Sequence, residues 1–186
     1  MGLEEATNGW DGCSELLILL ALRLRSLLSS FVVRISEIVY GSEEYRNECE
    51  LRDRLLRKPL GLSVYDENLE REKAYRHFGA FDADRIVGCL IVVPLDDGLG
   101  QLKQMGIEAA LQGQGIGRQL ITDVESRLSE EGVRELWLHG RSTAVGFYEG
   151  LGYRVEGESF VEVGIPHFKM RKALANRSGP VSPENR

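Results

Sequence analysis

Hydrophobic positions fall along this chain in short runs with two distinct periods. β-branched residues crowd Phe31 to Tyr40, which predicts a first strand. Ser42-Glu43-Glu44 then opens a helix whose Tyr45, Cys49, Leu55 and Leu56 are placed to face a core, and Pro59 and Gly61 end it. Charged residues 67–74 predict a short helix. His77 to Phe81 and Arg85 to Val93 read as two strands joined at Asp82-Ala83-Asp84, and a turn at Asp96-Asp97-Gly98 leads to a strand over Gln101 to Ile107. In 117–130 the period changes to helical, with Leu120, Ile121, Val124 and Leu128 on one face and Gly132 suited to the cap. Val133 to His139 predicts a strand, 142–149 a short helix, and Tyr153 to Glu156 and Pro166 to Arg171 the closing strands. The order is strand, helix, three strands, helix, strand, helix, two strands. It predicts an α/β fold with a mixed, centrally antiparallel sheet flanked by helices, in a single domain over 31–174.

The two ends of the chain are expected to stand apart from that domain. Residues 1–30 form an appendage with three open readings: a helix packed on the domain, upstream sequence from a misassigned start, or a weak membrane-surface helix. The run Leu16 to Leu22 is far short of the ~20 apolar residues a span needs, and Glu4, Glu5 and Asp11 replace the basic segment of a secretory signal. Gly2 invites acylation, but Ala6 stands where Ser or Thr is required. Residues 175–186, with two prolines, are expected to be a disordered tail.

Composition narrows the function classes. With 186 residues the chain can bury a substantial core, and 42% hydrophobic and 28% charged residues are ordinary for a globular protein. A net charge of −6 argues against nucleic acid as a partner. Arg52, Arg54, Arg57 and Lys58 cluster, either as a solvated helix face or as a rim that attracts anions. Cys13, Cys49 and Cys89 are odd in number and form no C-x-x-C, so no disulfide framework or metal site is expected and a reducing cytoplasm fits.

The chemistry concentrates in Gln112-Gly113-Gln114-Gly115-Ile116-Gly117-Arg118, where a strand meets a helix. Glycines let the backbone approach a bulky anion, and helix-start amides favour phosphate. Arg118 adds a positive charge. The pattern Q-x-x-G-x-G lacks both the dinucleotide glycine spacing and the G-K-[ST] of a nucleotide loop. Downstream, Ala144 to Tyr153 reads A-x-x-F-Y-x-x-L-G-Y.

That ordered pair of motifs resembles the GNAT superfamily of acyl-CoA-dependent N-acyltransferases over residues 32 to 173. Leu138-His139-Gly140-Arg141 and Gly164-Ile165-Pro166-His167 resemble a bacterial small-molecule branch of it. The resemblance implies acetyl-CoA as co-substrate, with no metal. It implies that Met105, Gly106 and Ile107 splay from a neighbouring strand at a bulge and pair with the pantetheine arm. Gln112 to Arg118 would hold the pyrophosphate; Gln114 stands where many members have a basic residue, and Arg141 where relatives often carry Asn. It also implies that Tyr148, second of the Phe-Tyr pair, protonates the departing thiolate, with Phe147 as packing. The amine must lose a proton too. His139, at a strand end near the splay, is the candidate base, acting directly or through water, or else a structural histidine. His167 is either an acceptor-pocket residue or structural. Glu108 reads as an exposed loop carboxylate and Cys89 as an inert core thiol.

The expected activity is transfer of an acetyl or other short acyl group to an amine by direct attack in a ternary complex. The alternative is a non-catalytic acyl-CoA-binding or sensing domain on the same scaffold; a nucleotide-binding role is weaker. Expected acceptors are a small-molecule amine, a peptide N-terminus or a lysine, met by loops 57–75 and 157–167. No nucleic-acid or membrane partner is expected, and a homodimer is left open.

Overall fold

A computed structural model describes residues 33–175 of the chain. Seven strands form one sheet in the order β1-β2-β3-β4-β5-β7-β6. They are β1 (Arg34–Ile38), β2 (Arg76–Asp82), β3 (Arg85–Pro94), β4 (Leu99–Ile107), β5 (Glu135–Arg141), β6 (Arg154–Glu162) and β7 (Ile165–Ala173). β4 and β5 run parallel; every other neighbouring pair is antiparallel. Among the described residues three α-helices join them: α1 (Glu43–Arg52), α2 (Ile116–Glu130) and α3 (Val145–Glu149). The predicted order of elements and the mixed, centrally antiparallel sheet are both present. The readings for 1–30, for the start of the first strand at Phe31 and for residues beyond 175 lie outside the described residues.

Each sheet face has its own apolar layer. Leu120, Ile121, Val124 and Leu128 of α2 are buried against Phe78, Leu90, Leu102, Leu136 and Met170. On the other face, Tyr45, Cys49 and Leu51 of α1 pack with Ile38, Phe81, Ile86 and Cys89. Helix ends are set by local chemistry. The Ser42 hydroxyl accepts from the Tyr45 amide and caps α1. At the end of α2, Gly132 takes φ +93° and the amides of Gly132 and Val133 return to the carbonyls of Ser129 and Leu128. That 5→2 and 6→1 pair is a Schellman cap. The Leu151-Gly152-Tyr153 segment repeats it after α3: Gly152 at φ +92° donates to Glu149 and Tyr153 to Tyr148.

Two elements and one charged cluster refine the sequence reading. The first helical run ends at Pro59 and Gly61 as read, with Gly61 at φ +70°, but it changes form on the way: the α-helix stops at Arg52, a π-turn covers Asp53–Arg57 and a 3-10 turn Lys58–Leu60, while the buried Asp53 carboxylate accepts from the Val64 amide and the Ser63 hydroxyl. β6 runs to Glu162 rather than Glu156; a bulge with Gly157 at φ +79° carries the strand through a polar stretch that hides its periodicity. The arginine cluster is split: Arg54 and Lys58 are solvent-exposed, and Arg54 and Arg57 reach the cleft edge, each already paired with a carboxylate. Arg52 is fully buried, and Arg54, Arg57 and Lys58 pair with Glu108, Glu67 and Asp53.

Candidate functional site

The site begins as a fault in strand pairing. Against β3, the register of β4 shifts between Cys89↔Gly106 and Ile91↔Lys103, with Gln104 at φ +51° in the bulge. On its other side, β4 pairs with β5 only from Leu99↔Glu135 to Leu102↔Leu138. From Lys103 and His139 onward the two strands have no ladder between them, so their backbone groups are free for an extended ligand arm. A cleft of about 1050 Å³ occupies this region. Met105, Gly106 and Ile107 line it, as do Leu55 and Leu56 of the π-turn, the glycine turn, the end of β5 and the Phe147-Tyr148 pair.

The glycine turn divides its labour. Gly113 (φ +77°) and Gly115 (φ +85°) adopt conformations that favour glycine, and a Cβ on either would meet open space. Gly115 is the N-cap of α2 and, among the described residues, no side chain caps that helix, which leaves its first amides to whatever occupies the cleft. Gly117 also lines the cleft, and a Cβ there would lie 2.8 Å from Met105 Cε and 3.4 Å from Phe147 Cζ. It packs the turn against the sheet. The Gln112 side-chain Nε2 donates to the Ile107 carbonyl (3.0 Å) and the Gln114 Nε2 to the Ala110 carbonyl (3.3 Å), so both glutamines brace the turn. Gln114 is absent from the cleft lining, and Ile116 reaches it from a buried core position. Arg118 lines the cleft while donating to the Gly150 carbonyl (2.9 Å), which ties the start of α2 to the end of α3.

Tyr148 stands edge-on between Phe147 and Tyr153, at centroid distances of 5.1 and 5.8 Å. Its hydroxyl makes no hydrogen bond among the described residues, and burial, opposed in part by the Arg141 charge, pushes its pKa up to about 12. The phenol therefore keeps its proton at neutral pH. Gly140 makes room for the ring: a Cβ there would lie 3.4 Å from Tyr148 Cδ2 and 3.1 Å from Met170 Sδ. Arg141 also lines the cleft, without an ion pair among the described residues.

His139 occupies the first unpaired rung of β5, half-exposed in the cleft wall. Its Nδ1 lies 2.9 Å from Glu162 Oε2, and Trp137 and Phe160 flank the ring at 5.3 and 4.7 Å. His167 is buried and donates from Nδ1 to the Ile165 carbonyl (2.8 Å), so in the neutral ring Nε2 is the acceptor. It too lines the cleft, stacked on Phe160. Glu108 does not stand free; it pairs with Arg54 across the cleft rim. Cys89 is buried, and desolvation pushes its thiol pKa up, as an inert core thiol requires. The sequence reading gave Glu162, Phe160 and Gly140 no individual role: it held the first two only within the acceptor loop 157–167 and Gly140 only within Leu138-His139-Gly140-Arg141.

Among the described residues no cluster of three or more His, Cys, Asp or Glu could hold a metal, and no helix is long and apolar enough to cross a membrane. A family model described as an acetyltransferase (GNAT) domain matches residues 55–174. The uncharacterised N-acetyltransferase YjcF of Bacillus subtilis is 26% identical, the match covering 73% of this chain and 96% of YjcF. The crystal structure of a Lactobacillus plantarum protein named as an N-acetyltransferase superposes with a TM-score of 0.69 at 26% identity, over 77% of this chain and 99% of that one. An aminoglycoside 6'-N-acetyltransferase in complex with coenzyme A shares the fold at a TM-score of 0.64 and 20% identity, over 78% of this chain and 99% of its own.

Proposed function

We propose that this chain, which belongs to the GNAT acetyltransferase family, transfers an acetyl or other short acyl group from acyl-CoA to an amine by direct attack in a ternary complex. One observation carries the reading. The open glycine turn, the unpaired stretch of β4, Tyr148 and His139 all line a single cleft. The residues fit a CoA thioester. Gly113 and Gly115 leave open space in front of the uncapped start of α2, which suits a pyrophosphate. Met105 to Ile107 offer strand-edge groups to the pantetheine arm. The thioester supplies the activated acyl group.

The chain's own residues then manage protons. His139 accepts the proton that the acceptor ammonium must lose, directly or through water. Tyr148 keeps its proton until the sulfur departs, and a phenol at about 12 is a reservoir rather than a competing base. The acceptor remains a class: a small-molecule amine, a peptide N-terminus or a lysine.

Tyr148→Phe tests the assignment. Thiol release from acetyl-CoA in the presence of an amine panel is expected to fall by roughly 10²–10⁴-fold in kcat, the span of a positioned general acid. Acetyl-CoA affinity by calorimetry should be unchanged, since the ring still packs. Full turnover in the variant would remove Tyr148 from the chemistry. Acetyl-CoA binding without any thiol release from wild type would favour the binding-only alternative.

A further inference from the structure

Glu162 ends β6 at a hairpin whose tip is built with unusual constraint. The two tip residues, Val163 (φ +47°) and Gly164 (φ +76°), both take positive φ, the pattern of a two-residue type I′ turn. Asn, Asp or Gly normally fills the first of those positions. A β-branched valine there is strained by about 1–3 kcal/mol, so the surrounding structure must hold the turn in place. The short loop fixes the register Glu162↔Ile165, Val161↔Pro166, Phe160↔His167. A one-residue slip would turn every β6 side chain to the opposite face. In the observed register Phe160 and Glu162 share the face on which β7 presents His167, and both meet His139 of β5.

The contact is chemically directional. A carboxylate only accepts, so the neutral His139 ring bonded at 2.9 Å to Glu162 carries its hydrogen on Nδ1. Nε2 then holds the lone pair. Trp137 and Phe160 flank the ring and restrict its rotation. His139 stands where the β4–β5 ladder has just stopped, and both it and Glu162 line the cleft.

We infer that Glu162 is a positioning residue: it fixes the His139 tautomer so that Nε2 is the proton acceptor for the incoming amine. The inference rests on the base role proposed above for His139. The strained tip is the device that holds Glu162 in register, and the aromatic flank limits rotation of the ring.

The chain has three histidines, so their ring nitrogens can be resolved by 15N NMR on the full-length protein and assigned with His139→Gln and His167→Asn variants. The wild type is expected to show His139 as a single Nδ1–H tautomer at pH 8. In Glu162→Ala that signal should shift toward a mixture. Its kcat for thiol release with an amine panel should fall by at least about 10-fold, with the ~10⁴-fold lost when the carboxylate orienting a catalytic histidine is replaced as the upper bound. Acetyl-CoA affinity should not change, and Glu162→Asp should recover part of the rate. Glu162 is half-exposed, so the alanine variant should fold; a thermal melt checks this. An unchanged tautomer in folded Glu162→Ala overturns the positioning inference and leaves the base reading standing. Full turnover in His139→Gln overturns the base reading, and with it any catalytic value of Glu162.

Discussion

Two histidine–glutamate pairs in this molecule have the same length and opposite surroundings. His77 and Glu48 meet at 2.9 Å, and so do His139 and Glu162. The first pair is at most 1% exposed; in the second the side chains are 31% and 47% exposed. His77 has both ring nitrogens engaged, Nδ1 with Glu48 and Nε2 with the Glu72 carbonyl at 3.3 Å. Arg52 closes the network with a two-pronged contact to Glu72 at 2.9 Å, and the Tyr45 hydroxyl donates to the same carboxylate. His139 instead has one nitrogen bonded and a cleft in front of it. Pair distance therefore says little about role. What separates a strut from a candidate base is whether a nitrogen is left over and whether solvent and ligand can reach it.

The largest expected effect breaks the buried side of the comparison. Arg52→Met should leave Glu48 and Glu72 buried without their cation, a loss of about 3–5 kcal/mol for a broken buried ion pair. Urea unfolding would register it as a drop in midpoint. By contrast Glu162→Ala should stay within about 1 kcal/mol of wild type, because an exposed pair contributes little to folding. Equal stability losses in the two variants would erase the distinction drawn here.

A second experiment uses the same substitution twice. His139→Gln should lose roughly 10²-fold or more in thiol release while unfolding like wild type. His77→Gln should cost about 1–3 kcal/mol in stability by leaving buried acceptors unsatisfied, with kcat nearly intact at temperatures where it is folded. Activity loss in His77→Gln without a stability loss would place the buried network in the chemistry.

A third sharpens the contrast within one strand. Gly140→Ala adds a methyl that would sit 3.1 Å from Met170 Sδ, 3.2 Å from Leu138 Cδ1 and 3.4 Å from the Tyr148 ring. A destabilisation near 1 kcal/mol is expected from such crowding. If the ring moves, kcat should fall by roughly ten-fold through misplacement alone. A variant with wild-type kcat would show that Tyr148 does not depend on this gap.

The same contrast explains what could be read from the sequence. Element order was legible because each core strand and helix carries its own period, as in Leu120, Ile121, Val124 and Leu128. The glycine turn was legible because positive φ at Gly113 and Gly115 restricts residue type. The buried network was not, because its members are distant in the chain and each looks ordinary locally. Glu48 and Arg52 stand four apart and resemble a surface helix pair, yet both are fully buried. Glu162 was hidden by the bulge in β6, which breaks the alternation that would have assigned it a face. Gly117 lines the cleft, and its second constraint, the crowding of any Cβ against Met105 and Phe147, comes from segments distant in the chain.

The smallest expected effect concerns pH. Burial raises Tyr148 from 10 to about 12, against a lesser pull downward from Arg141. Its neutral form is thus favoured in the folded protein. The sign follows: this contribution to stability is complete below pH 10, the ordinary phenol value, and is lost as pH rises toward 12. Two readouts should agree. The pH profile of thiol release should show no falling limb from Tyr148 up to about pH 10.5, since the acid form persists there. The phenolate absorbance of wild type minus Tyr148→Phe should likewise stay near zero over that range, while exposed tyrosines such as Tyr65 contribute equally to both proteins and cancel. A phenolate signal from Tyr148 well below pH 10 would mean that the ring is better solvated, or closer to the Arg141 charge, than its packing between Phe147 and Tyr153 allows. Such a phenol would be a stronger acid toward the leaving thiolate, and the rate profile should then fall where the phenol ionises.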